Sequence, residues 1–237
     1  MQESIITVFG ALPWLLNGAF ITICTVASAM LIGLVFGVPM AVGQTYGGPV
    51  TRRLVSLYVW FFRGIPILVL LYLFYFGLVY QLNPLEFSIL GKAFSINLDV
   101  SPFAASCLVL GLTSTAYQSQ IFRGAINSLP GGQLKAARAL GMKDLTAIVH
   151  IVLPQALRLS IPGWSNEYSI LLKDSALVSV LGTMELMSRT KAIATSTAEY
   201  TAFYITAAVL YFLITFIGVR GLRRLEKMFR VPGYTHM

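Results

Sequence analysis

Five long apolar runs, at residues 14–42, 54–80, 102–121, 161–181 and 203–219, constrain this chain more than any other feature. An α-helix needs about 20 predominantly apolar residues to cross a bilayer. In lipid, moreover, the backbone must satisfy its own hydrogen bonds, which a helix does within one segment. Composition agrees: 57% of residues are hydrophobic and only 11% charged, where a soluble domain carries about 25% charged. The expected fold class is therefore all-α, a polytopic membrane protein with five transmembrane helices forming one domain over residues 1–237. The first run is too long for a signal peptide and no Lys or Arg precedes it, so it reads as a retained span.

The polar residues inside these runs carry the functional information. Gly18, Ala27, Ser28, Ala29, Gly33 and Gly37 give the first run a small-residue surface suited to close helix packing. Arg63 interrupts the second run. It either marks the inner membrane boundary or meets a partner within the membrane. The second half of the third run is polar, with Thr113, Ser114, Thr115, Tyr117, Gln118 and Gln120, and must face protein or a cavity because lipid offers these groups no partner. The fourth run carries Asn166, Glu167, Lys173 and Asp174. A charge at mid-bilayer costs about 2.5–3.5 kcal/mol on insertion scales, so such residues usually face an interior and serve a pathway. Helical spacing puts Asn166 with Lys173 on one face and Glu167 with Asp174 on another.

Two readings of that cluster stand side by side: a structural ion pair at a subunit interface, or a binding patch for a zwitterion. In the second, Asn166, Glu167, Lys173 and Asp174 form the candidate substrate site together with Arg63, Thr113 and Tyr117. Tyr46, Tyr58, Tyr72, Tyr75, Tyr80, Trp60 and Trp164 read as interface belt or core.

Basic residues set the orientation. Twelve of the seventeen (Arg52, Arg53, Arg123, Lys135, Arg138, Lys143, Arg158 and five between Arg220 and Arg230) fall on one side of the five runs. Only Lys92, Arg189 and Lys191 fall opposite. The positive-inside rule then puts the N-terminus outside and the C-terminus in the cytoplasm. The net charge of +8 is accounted for by this placement, without nucleic acid. Cys24 and Cys107 lie in apolar runs with no metal-ligand spacing, so neither a metal nor another cofactor is expected.

Between the third and fourth runs lies a polar, helix-prone island. Residues 133–140 are good helix formers after the Pro130-Gly131-Gly132 turn. Gly141 is placed to stop that helix in the left-handed conformation. Asp144 is placed to cap a second helix, which is expected to end near Pro154. Two short helices joined at a glycine would form a cytoplasmic knob within residues 123–158.

The spacing of Lys135-Ala136-Ala137, Gly141 and Ile151-Val152-Leu153-Pro154 resembles the EAA loop of ABC-importer permeases, with Lys135 where the family usually has Glu. The likeness continues through Phe62-Arg63-Gly64-Ile65-Pro66, Ala116-Tyr117, Arg123-Gly124, Asn166-Glu167 and Lys173-Asp174-Ser175-Ala176-Leu177-Val178-Ser179, which are similar to polar-amino-acid permeases of the histidine, glutamine and arginine type. The resemblance implies that Lys135, Ala136, Ala137, Gly141, Ile151, Leu153 and Pro154 form a coupling helix seated on a cytoplasmic ATPase. It also implies two ATPase copies, a second permease chain (identical or paralogous) and an extracytoplasmic binding protein.

The chain has no G-x-x-x-x-G-K-[ST] sequence, so its ATP hydrolysis would reside in a partner. The alternatives are a self-contained secondary carrier, which usually has two related halves, and an intramembrane enzyme. No repeat is visible, and both His150 and His236 are predicted outside the bilayer.

Overall fold

The computed structural model describes residues 2–79, 85–89, 92–96 and 100–229. Tyr80, Arg230 and His236 lie outside the described residues. The architecture is helical: α1 (Gln2–Tyr46), α2 (Pro49–Gly64), α3 (Ile67–Tyr72), α4 (Pro102–Asn127), α5 (Gly132–Ala139), α6 (Asp144–Ala147), α7 (Leu153–Asp174), α8 (Leu186–Thr197) and α9 (Tyr200–Met228). Two short antiparallel strands, β1 (Leu85–Ile89) and β2 (Lys92–Ile96), pair between α3 and α4.

α1 and α4 form the central pair. They run in the same direction, since Ile32 meets Gly111 and Gly37 meets Ser119 farther along both helices. Between apolar helices in lipid there is little hydrophobic drive to associate, so close backbone approach and interhelical hydrogen bonds must hold them together. Glycines on both helices do this: a Cβ on Gly37, read as part of a packing surface, would lie 3.2 Å from the Ser119 amide nitrogen, and Gly111 on α4 is closer still. A Cβ on Gly111 would lie 2.7 Å from the Ile32 side chain. Around this pair, Val26, Leu70, Leu110, Leu171 and Val178 bring α1, α3, α4, α7 and the turn after α7 into one core.

The second apolar run is not one helix. It breaks at Ile65-Pro66, where α2 and the segment Ile67–Val79 meet at 105°. The cause is local: Pro66 disfavours helical backbone at the residue before it, and Ile65 is extended (φ −104°, ψ 132°). Arg63 therefore sits in the last turn of α2, next to a sharp bend.

The expected end of a helix at Pro154 is also corrected. Residues Asp144–Leu181 form a 38-residue continuous rod. Proline within a helix clashes with the carbonyl four residues earlier, and the rod accommodates this by widening into a π turn at Ile148–Val152. The second arm of the knob is thus continuous with the helix of the fourth span.

Three helical segments, Ile6–Tyr46, Asp144–Leu181 and Tyr200–Met228, are long and apolar enough to cross a membrane, and the bent pair supplies a fourth candidate. The remaining expected span, the third run, corresponds to α4. Its 26 residues reach about 39 Å, but its second half is too polar to count by apolarity.

Candidate functional site

The polar half of α4 is turned inward, as lipid requires, and is built into a hydrogen-bonded chain with α1 and α7. Glu167 on α7 is 3% exposed. Its Oε1 accepts from Ser114 Oγ at 3.0 Å. Ser114 Oγ in turn accepts from Gln118 Nε2 at 2.9 Å, and that amide also donates to the Met30 carbonyl of α1 at 3.0 Å. Gln118 Oε1 accepts from the Trp164 indole at 2.7 Å. Each amide proton of Gln118 is thus used, and the chain ties three helices together. Gly33 makes room for it: a Cβ there would fall on the Gln118 amide and 2.9 Å from Ser114 Oγ.

The second oxygen of Glu167 makes no hydrogen bond among the described residues. Among the described residues no fully enclosed side-chain oxygen or nitrogen lacks a partner, so Oε2 is not completely enclosed. One oxygen anchored and one incompletely enclosed is the arrangement of a buried acceptor.

The remaining candidates separate. Arg63 places its guanidinium 4.9 Å over the Tyr117 ring, bringing those two together. Asp174 is half-buried on the Glu167 side, whereas Asn166 and Lys173 are exposed. Lys173 lines a different cleft of about 320 Å³ with Ala176, Tyr204, Ala207 and Tyr211. Thr113 turns its hydroxyl back onto the Val109 carbonyl at 2.9 Å. Glu167 makes no ion pair with Lys173; its side chain is committed to Ser114 instead.

Sequence reasoning missed the anchoring roles of Ser114, Gln118 and Trp164, though the first two were visible as polar residues in an apolar run. It also missed Glu185. This residue is fully buried, caps α8 by accepting from the Met187 and Ser188 amides at 2.8 and 2.7 Å, and accepts from the Tyr211 hydroxyl at 2.8 Å. Nothing in the sequence marks it, because Glu is not a favoured N-cap residue.

The knob forms a second candidate site. Gly141 has φ +81°, and the Gly141 and Met142 amides bond the Arg138 and Ala137 carbonyls at 2.9 and 3.0 Å. This is a Schellman stop, as the glycine predicted. The expected Asp144 cap is corrected: Lys143 occupies the cap position and makes no side-chain cap bond. Asp144 instead accepts two hydrogen bonds from Arg138 at 2.7 and 2.8 Å, closing the turn across Gly141. Those bonds hold the Asp144 carboxyl below its ordinary range.

Of the predicted coupling residues, Lys135 and Ala136 are exposed on α5, but Ala137 is 2% exposed and faces the chain's own interior. Ile151, Leu153 and Pro154 lie on the rod. Leu140 and Leu145, by contrast, are 84% and 70% exposed at the tip.

Broken apolar helices, a buried polar chain between them and an apolar-tipped knob define a membrane transport subunit. Residues 33–231 match the family described as the binding-protein-dependent transport system inner membrane component, and the chain belongs to that family. The octopine transport system permease protein OccQ of Rhizobium meliloti is 39% identical, over 92% of both chains. The arginine ABC transporter permease protein ArtQ of Escherichia coli K12 is 33% identical, over 90% of this chain and 93% of that one. Among solved structures, an amino acid ABC transporter crystallised with histidines matches with TM-score 0.79 and 29% identity, covering 94% of this chain and 97% of that one. The protein is accordingly a multi-pass inner-membrane permease subunit and not itself an enzyme, which sets aside the secondary-carrier and intramembrane-enzyme alternatives.

Proposed function

We propose that this chain imports polar amino acids, with preference for those bearing a cationic side chain, and that Glu167 receives the substrate's positive charge. The observation that carries this reading is the half-anchored Glu167 carboxylate, held by Ser114 with its other oxygen incompletely enclosed. Relatives named for octopine and arginine transport support the substrate class. Arg63 over Tyr117 supplies a cation for the substrate carboxylate, with Asp174, Asn166 and Lys173 on the same rod as Glu167.

Energy comes from two ATPase subunits, one of them docked on this knob, with Lys135, Ala136, Gly141 and the exposed Leu140 and Leu145 at the contact. Ala137 supports that surface from beneath, while Ile151, Leu153 and Pro154 transmit movement into the rod. A second permease chain completes the pathway, and an extracytoplasmic binding protein delivers substrate. The N-terminus lies outside and the C-terminus in the cytoplasm, as the basic residues favour.

Uptake by the assembled complex tests the substrate role. Glu167→Gln should lower arginine uptake about tenfold, the scale of one charge-assisted hydrogen bond. It should lower glutamine uptake much less and leave the complex assembled. Equal loss for both substrates would reject charge recognition by Glu167.

A further inference from the structure

The basic end of α9 is not used by any of this. Four cations, Arg220, Arg223, Arg224 and Lys227, line an open cleft of about 610 Å³ along α9, together with Phe212 and Phe216 of the same helix. The two rings stack with centroids 6.1 Å apart and planes 19° apart. Arg220 places its guanidinium 5.2 Å over Phe216, joining the apolar and basic parts of the cleft. Phe212 and Phe216 are 66% and 47% exposed, and only 11% of the α9 span is buried by the rest of the chain. None of the four cations makes an ion pair among the described residues. Glu226 lies on the same helix and bridges none of them.

We infer that this cleft binds the headgroup of an anionic phospholipid, with the acyl chains lying along the Phe212–Phe216 face. The inference rests on α9 being a span. Seven residues separate Phe216 from Arg223, about 10 Å along the axis, so the rings sit in the hydrocarbon when the guanidiniums stand at phosphate depth. Arginine presents a planar fork that matches two phosphate oxygens at once, and clusters of basic residues beside a span select anionic over zwitterionic headgroups. A zwitterionic lipid would bring its own cation against four others. The stacked rings give the chains a fixed surface, and the cation–π contact keeps Arg220 from folding back onto the helix.

Native mass spectrometry of the detergent-purified full-length protein, with phosphatidylglycerol or phosphatidylcholine of matched chains, tests the inference. Wild type should retain phosphatidylglycerol roughly tenfold more than phosphatidylcholine. The Arg223→Gln/Arg224→Gln pair should abolish that preference, and the Arg223→Lys/Arg224→Lys pair should keep part of it. Equal retention of the two lipids by wild type would overturn the proposal, even if the glutamine pair failed to insert. So would unchanged preference in an inserted glutamine pair. If that pair instead loses self-association while lipid preference persists, the face is a protein contact and the lipid site is rejected. Amino-acid uptake is measured separately, so failure of the substrate reading would leave the lipid result intact.

Discussion

At the scale of single residues, the most consequential are those that let a polar chain exist inside an apolar helix bundle. Ser114 and Gln118 are costly in lipid and harmless once each is paired, so their placement depends on the empty space at Gly33. Gly33→Val should displace the Gln118 amide and break its bonds to Ser114 and the Met30 carbonyl, lowering stability by about 1–3 kcal/mol. Thermal unfolding of the detergent-solubilised protein reads this directly, and an unchanged midpoint would show that the chain is not structural. Gly141 makes the complementary case. Its φ of +81° costs an L-residue about 1–2 kcal/mol, so Gly141→Val should loosen the knob while the bundle still inserts. Rapid proteolysis near residue 141, with normal membrane yield, is the expected outcome.

At the scale of elements, the knob separates residues that look equivalent in sequence. Ala136 and Ala137 are neighbours, yet one is exposed and the other buried beneath α5. Leu140→Arg should therefore abolish copurification of the ATPase with the fold intact, whereas Ala137→Arg should disrupt the knob itself. Identical behaviour of the two variants would contradict this division.

The Arg138–Asp144 bridge adds a pH dependence of known sign. Asp144 is held below its ordinary range, so its contribution is complete above the unfolded-state pKa of about 3.9 and is lost as pH falls through the lower folded-state value. Distances between spin labels flanking Gly141 should be constant from pH 5 to 8 and broaden only in stronger acid. The pair is solvent-exposed, so high salt should act in the same direction.

At the scale of the whole molecule, orientation is the most general expectation. A cysteine at Gly131 should react only with reagents on the cytoplasmic side and one at Thr195 only from outside; both positions are exposed. Labelling from the opposite sides would reverse the knob and the ATPase contact with it. Three helical segments can cross a membrane by apolarity alone, with the bent pair as a fourth candidate. Only packing assigns a place to α4: its polar half is sheltered by α1 and α7 and would be excluded from lipid if left alone.

Apolar run length and the chemistry of Pro and Gly determined, without tertiary information, that this is a helical membrane protein with a glycine-stopped knob. Both properties act over a few residues, so they are legible locally. The knob's resemblance to the EAA loop was legible for the same reason, being a matter of fixed spacing. Tertiary structure alone decided that Pro66 bends the second run while Pro154 is absorbed by a π turn. A proline states only what its own neighbours cannot do, and whether the chain bends or widens depends on what packs against it. The same holds for the charged residues of α7. Periodicity put Glu167 and Lys173 on different faces, but which face meets Ser114 and which lines the α9 cleft is set by contacts 53 residues back and about 40 residues ahead in the chain.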